Sequence, residues 1–477
     1  MTPTRPLAAL TMLALAGCAA GPQFKAPTIA LPASYVGGSA RTAGDVSTQM
    51  WWRDYRDPTL DGLVAQGLGQ NLSIQTAVER VVQAEATLRT TGAASLISGG
   101  ISASSTRGTN LGGGVSTSDR AGFSPSLVLD LFGGAARTRE QALAQLQATK
   151  LDVGTARLTF LSSLVSNYIN ARYYQSAAAI TRATIVSRRE TLRIVHAQLD
   201  AGTATELDVA QAEAALAQSR ATLPALENGY DGAVYALATL LAEPAGPLLK
   251  QLNHGGTQPA PRTHAALGVP ADLLRNRPDV RSAERSYAAA VAAVGAADAA
   301  RLPQISLAGT ITTATTQSWS FGASLLAPIL NQPALAAAAA AKLSAAKQAE
   351  LAWKSTVLSA VQNVQAAQSS YIRAGQSVAR ARDAVRAYQK VVSLSRQTYR
   401  AGTTTLIDLL TNERSLASAQ LSLASALQSR ATSWAQLQIA VGRGWRIAGV
   451  TGSDPAKTAN AGGVDKTGDE AEAKSGG

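Results

Sequence analysis

The stretch AGTATELD at residues 201–208 returns as AGTTTLID at residues 401–408, an offset of 200 (401 − 201). Glu213, Leu216, Ala217 and Leu223 recur as Glu413, Leu416, Ala417 and Leu423 with no gap. A chain that repeats itself in this way builds one structural unit twice, so its fold must be read as two halves rather than as 477 independent positions. The repeated letters also say what the unit contains at this point. Gly202 and Gly402 supply the left-handed conformation that ends a helix. Thr205 and Thr405 then cap a second helix, with Asp208 and Asp408 three residues on in a T-x-x-D box. Each octapeptide is expected to be the tip of a helix–helix hairpin, at 200–205 and at 400–405.

The segments flanking the tips have the composition of long helices. Residues 135–199 and 333–399 are rich in Ala, Gln, Ser, Leu and Arg, and proline is absent between their ends. Each is expected to form a rod of roughly 100 Å at 1.5 Å per residue. Past the second tip, Leu409, Leu416, Leu423 and Leu437 fall in one seven-residue series and Leu427, Trp434 and Val441 in another, which is coiled-coil spacing. Gln420 and Arg430 interrupt these series, so a layered packing is expected in place of a simple two-stranded seam. With 46% hydrophobic residues but only 5% aromatic ones, the chain favours thin, closely packed helices over a thick core.

Between the rods the period changes to two. Ile305, Leu307 and Ile311 alternate with Ser306, Thr310 and Thr312, and Trp319, Phe321, Ala323 and Leu325 alternate with Ser320, Gly322 and Ser324. A weaker version, Ile101–Thr106 and Phe123–Leu131, surrounds Gly112–Gly114. Each half therefore offers one β-hairpin, within 99–131 and 303–330, preceded by a helix at about Pro58–Gly92 or Arg275–Ala300. Two hairpins with an apolar face cannot stand open in a bilayer, because their edges would leave backbone groups unpaired. Four strands are also too few to close a barrel, for which about eight is the minimum. Oligomerisation is expected, with Trp319 and Phe321 in an interfacial girdle. The alternative, hairpins packed on a soluble core, stays open at this level.

Residues 1–17 carry one charge, Arg5, and an apolar run too short to span a bilayer, followed by Leu15-Ala16-Gly17-Cys18. This reads as a lipoprotein signal peptide with Cys18, the only cysteine, as the lipidated residue of a mature chain 18–477. The net charge of +12 is spread singly along helices, with no basic run and no aromatic platform, so a nucleic-acid partner is not expected. His196, His254 and His264 are too scattered for a metal cluster, and no catalytic motif or phosphate loop is present; neither an enzyme nor a cofactor or metal is expected.

Several short words in fixed order then carry a resemblance: Gly21-Pro22-Gln23-Phe24-Lys25-Ala26-Pro27, Trp51-Trp52-Arg53-Asp54-Tyr55 with Pro58-Thr59-Leu60, Arg275-Asn276-Arg277-Pro278-Asp279-Val280, and Leu302-Pro303-Gln304-Ile305-Ser306-Leu307. Together with the signal and the duplication, over about residues 15–447, they resemble the outer-membrane factors of tripartite efflux pumps, of the TolC and OprM kind, in the NodT-like lipoprotein branch. The resemblance implies a mainly α fold with a β-barrel part: a homotrimer whose four strands per chain complete a twelve-stranded outer-membrane barrel and whose long helices form a periplasmic α-barrel. It implies a passive exit duct for drugs or other small toxic solutes, partnered by a periplasmic adaptor and an inner-membrane transporter of the resistance–nodulation–division (RND) type, in the outer membrane of a Gram-negative bacterium. A type I protein-secretion channel and a periplasmic helical adaptor lipoprotein are the alternatives.

The expected organisation is a signal peptide (1–17), a lipid anchor and extended strap (18–57), a first repeat (58–250), a linker (251–270), a second repeat (271–447) and a disordered tail (448–477). Residue by residue, the resemblance places Asp408 in a periplasmic constriction, with Asp208 as its first-repeat counterpart and Tyr399 in the hydrogen-bond network of the tip. Thr411 stands where the family often has a second aspartate, Thr404 where TolC has an arginine, and Arg414 where an arginine occurs in OprM. A ring built from Asp408 alone holds cations less strongly than a doubled one. Both aspartates also have the capping role derived above, and the sequence leaves cap and gate as alternatives.

Overall fold

The computed structural model describes residues 20–36, 41–109, 112–261, 268–314 and 316–446. The expected signal peptide, Cys18 and the tail from 448 lie outside the described residues. After a short 3-10 turn at Trp51–Tyr55, the first half runs α1 (Pro58–Gln70), α2 (Leu72–Arg89), β1 (Ile97–Thr109), β2 (Val115–Leu129), α3 (Gly134–Asp200), α4 (Glu206–Leu241) and α5 (Ala245–Leu252). The second half runs α6 (Leu273–Asn276), α7 (Pro278–Ala299), β3 (Gln304–Thr313), β4 (Gln317–Leu326), α8 (Gln332–Arg400) and α9 (Leu406–Ala440). The 67 residues of α3 and the 69 of α8 make rods of about 100 Å.

Two expected elements are divided. The helix expected over Pro58–Gly92 is broken at Asn71, whose backbone leaves the helical region and whose side-chain oxygen accepts from the N–H groups of Ser73 and Ile74, both at 3.1 Å. Its amide also donates to the Leu240 carbonyl at 2.9 Å, so the break is tied to α4. The helix expected over Arg275–Ala300 is interrupted at Arg277, because Pro278 forces the preceding residue out of the helical region (φ −90°, ψ 122°).

The strands form one antiparallel sheet in the order β1-β2-β3-β4. Register places Ile101, Phe123, Ile311 and Trp319 in one row across all four strands, and Ile97, Leu127, Leu307 and Ala323 in another. Partners in register share a face, so this face is apolar along these rows, and towards the hairpin turns it becomes polar at Ser105, Arg107 and Asp119 and at Thr313 and Gln317. The opposite face carries Ser102, Ser306, Thr310, Ser320 and Ser324, with hydroxyl pairs Ser306–Ser324 at 2.7 Å and Thr310–Ser320 at 2.9 Å. Gly309 is required by a close approach: a Cβ there would lie 2.1 Å from the ring of Phe321, which lies over it. Ten residues of β3 span about 34 Å, or about 26 Å along the normal at a 40° tilt, the height of an outer-membrane apolar band. The outer edges of β1 and β4 have no partner strand within the described residues.

The core lies along the middle of α3, where the Trp51–Tyr55 turn meets the end of α9. Trp51, Trp52 and Tyr55 pack against Leu161, Leu164 and Tyr168 of α3, Val234 and Leu237 of α4, and Trp434 of α9. Tyr55 stacks edge-on to Trp434 and donates its hydroxyl to the Ala431 carbonyl at 2.7 Å. A second cluster joins Tyr35 and Val46 of the extended strap to Leu273, Val280, Trp353 and Leu437. The strap is held by Asn276, which donates to the Gly44 carbonyl and accepts from the Val46 N–H. The α9 seam is buried at Leu409 and again at Trp434, Leu437 and Val441, while Leu416, Leu423 and Leu427 between them are half-buried.

Candidate functional site: the helical tips and the seam above them

Both tips have the same backbone. The N–H of Gly202 bonds the Leu199 carbonyl and that of Thr203 the Gln198 carbonyl, and Gly402 and Thr403 do the same with Tyr399 and Thr398, all at 2.8–3.0 Å. This is the Schellman closure, which needs a left-handed residue after the helix; Gly202 and Gly402 have φ of +70° and +74°. Thr205 and Thr405 then cap the returning helices, each accepting from the N–H three residues on at 3.3 Å. The box is reciprocal only at the first tip, where the Thr205 N–H donates to Asp208 Oδ2 at 2.9 Å. At the second tip Asp408 accepts from the Thr405 hydroxyl at 2.6 Å, and among the described residues no backbone bond returns to it. The Asp408 carboxylate is therefore less committed to its own cap than that of Asp208.

Asp408, Thr411 and Arg414 are exposed on successive turns of α9. Thr404 donates to the Thr398 hydroxyl at 2.7 Å and so stays within its own tip. Tyr399 is buried with Val195 and Ala212 of the first hairpin and Leu406, Leu409 and Leu410 of the second. Burial, then the charge of Asp208, pushes its phenol above the usual range. The structure thus brings Tyr399 and Asp208 together across the two hairpins and leaves Asp408, Thr411 and Arg414 on an open face.

About two turns above the second tip lies a residue that sequence reasoning did not single out. Glu413 is 4% exposed, and its Oε1 accepts from Ser187 at 3.0 Å, Thr191 at 3.2 Å, and Arg396 Nε and a terminal Arg396 nitrogen at 3.2 and 2.8 Å. Ser187 and Thr191 belong to α3, so this carboxylate joins the second hairpin to the first. Arg396 is 43% exposed and also donates to the Ser187 hydroxyl. The signal available in the sequence was the recurrence of Glu213 as Glu413. That recurrence marks the repeat alone: Glu213 is exposed and Glu413 is buried.

With this geometry in place, the comparisons with known proteins are decisive. The family described as outer membrane efflux protein matches residues 63–243 and 269–443. The chain belongs to that family. It is an outer-membrane efflux channel, and its two matched segments fall on the two halves of the duplication. It is 38% identical to nodulation protein T of Rhizobium leguminosarum bv. viciae, over 94% of this chain and 96% of that protein. It is 29% identical to the pyoverdine export outer membrane protein OpmQ of Pseudomonas aeruginosa, over 91% of this chain and 95% of that one. Among solved structures it is similar to the outer-membrane channel OprN, with a TM-score of 0.80 and 27% identity over 90% of this chain and all of that one. The apolar sheet face of the efflux channel is accordingly its lipid face, and the Ser/Thr face lines the lumen. No helix among the described residues is long and apolar enough to cross a membrane.

Proposed function

We propose that three copies of this chain close a twelve-stranded barrel (3 × 4) and, below it, an α-helical duct through which small solutes leave the periplasm passively. The observation that carries this reading is the four-stranded sheet with apolar rows on one face, hydroxyls on the other and two edges that have no partner strand among the described residues. In hydrocarbon those edges must be paired, and sister copies are the partners at hand. A periplasmic adaptor lipoprotein has no use for such a sheet. The chain has no catalytic role in this reading and needs no cofactor; an inner-membrane pump of the RND type supplies the energy, and a periplasmic adaptor engages the tips at Gly202 and Gly402. Cys18 carries the lipid that anchors the mature chain to the outer membrane. The similarity to a pyoverdine export protein favours a small solute over a secreted protein.

The tips close the duct. Three Asp408 carboxylates face the axis as a cation-holding ring, with Thr411 and Arg414 above them. Opening separates the second hairpin from the first and so breaks the Glu413 contacts with Ser187 and Thr191. Purified protein reconstituted in planar bilayers tests the whole reading: a detergent-resistant trimer that conducts ions is expected, and a monomer that conducts nothing refutes it.

A further inference from the structure

A cleft of about 410 Å³ lies between α3, α4 and α9, spanning about 13–30 Å above the tips. Its walls carry two guanidinium groups, Arg188 from α3 and Arg414 from α9, and a set of hydroxyls that includes Thr181, Ser219, Ser418 and Ser422. No carboxylate is among its lining residues. We propose that this cleft is a binding site for a small oxyanion such as phosphate, sulfate or a carboxylate, held between the two guanidinium groups and the surrounding hydroxyls.

Charge balance is the first argument. Arg188, Arg396 and Arg414 bring three cations to this level of the seam, and the two carboxylates beside them are engaged outside the cleft wall, Glu413 by Arg396 at 2.8 Å and Glu190 by Arg193 at 2.6 Å. Arg188 is 7% exposed, and burial pushes its guanidinium below the ordinary range, with the Glu413 charge opposing. A cation held out of water without a full counter-charge is costly, and an anion in the adjoining cleft removes that cost.

Unused hydrogen-bonding capacity is the second argument. Arg188 spends one terminal nitrogen on the Ala215 carbonyl and, at 2.6 Å, on the Ser219 hydroxyl; its Nε is sealed from solvent, so the other terminal nitrogen, without a hydrogen bond among the described residues, is the donor left for a ligand. Arg414 is exposed at the mouth and free to close over a ligand. Guanidinium groups pair with the oxygens of tetrahedral and planar oxyanions through parallel N–H donors, and hydroxyls complete such a shell. The cleft is roomy enough for phosphate with several waters, each of which takes about 30 Å³.

The test is calorimetric titration of the full chain, purified in detergent, with inorganic phosphate at constant ionic strength maintained with chloride. Saturable binding is expected, lost by about tenfold or more in Arg414→Gln and kept largely in Arg414→Lys. Arg380→Gln, exposed on α8 and outside the cleft, should bind as the unaltered chain does. Because Arg188→Gln removes a buried group that also holds Ala215 and Ser219, the exposed Arg414 decides the matter if that variant fails to assemble. Absence of saturable binding at millimolar phosphate, or unchanged affinity in Arg414→Gln, overturns the proposal.

Discussion

Removing the exposed member of the Glu413–Arg396 pair should do more harm than removing the buried one. In Arg396→Gln the Glu413 carboxylate stays 4% exposed and keeps only the Ser187 and Thr191 hydroxyls, having lost both guanidinium bonds. A buried charge left without its partner costs about 3–5 kcal/mol; the remaining hydroxyls and the nearby Arg188 reduce this to about 2 kcal/mol here. In Glu413→Gln the groups left over are Arg396, which is 43% exposed and regains water, and Arg188, which keeps the Ala215 carbonyl and Ser219 hydroxyl, while the amide oxygen still accepts from Ser187 and Thr191. That loss is about 1 kcal/mol. If these contacts hold the two hairpins closed, the penalties appear directly in the open-to-closed ratio, since 1.4 kcal/mol is tenfold. Single-channel recordings in planar bilayers should then show about a 30-fold shift toward the open state for Arg396→Gln and about fivefold for Glu413→Gln. The double variant should resemble the milder single one, because no carboxylate is then left buried without its guanidinium partner. Equal shifts, the reverse order, or gating within twofold of the unaltered channel would refute the argument that Glu413 ties the hairpins together.

Asp408→Ala should raise conductance or weaken block by cations, because the Asp408 carboxylate is only half used by its cap; unchanged conductance with a frayed start of α9 would assign it to capping alone. Gly402→Ala places a Cβ on a residue with φ of +74°, which should cost about 1–2 kcal/mol and show as faster amide exchange at the second tip. Ile311→Arg sets a charge in the middle of the apolar row Ile101–Phe123–Ile311–Trp319 and should destabilise the inserted barrel by about 2–4 kcal/mol, read from denaturant unfolding in lipid; a loss under 1 kcal/mol would place that face outside the hydrocarbon. Cys18→Ser should leave conductance intact and abolish lipid attachment in the mass spectrum of the exported chain.

The tips and the sheet faces were legible because they depend on near neighbours. A glycine three residues before a T-x-x-D box determines its own turn, and strict alternation assigns Ile305, Leu307 and Ile311 to one face whatever else the chain does. The expected start of the first hairpin fell two residues late, at 99 against Ile97, because Gly99 and Gly100 weaken the alternation there. The continuous helix expected over Pro58–Gly92 failed for a different reason. Asn71 is tolerated inside a helix by propensity, and what turns it into a cap is the Leu240 carbonyl, 169 residues away, waiting for its amide.

The two glutamates mark the division most plainly. Duplication gives Glu213 and Glu413 the same place on the same kind of helix, and nothing local tells them apart. Only the packing of α9 against α3 buries one beside Ser187, Thr191 and Arg396, while α4 leaves the other in water. Sequence therefore determined the repeated hairpin, its turn and the two-sided sheet, since these follow from dihedral preference and side-chain period over a few residues. Which copy of a repeated residue carries a buried charge was decided by tertiary structure, because burial depends on the helix that arrives alongside.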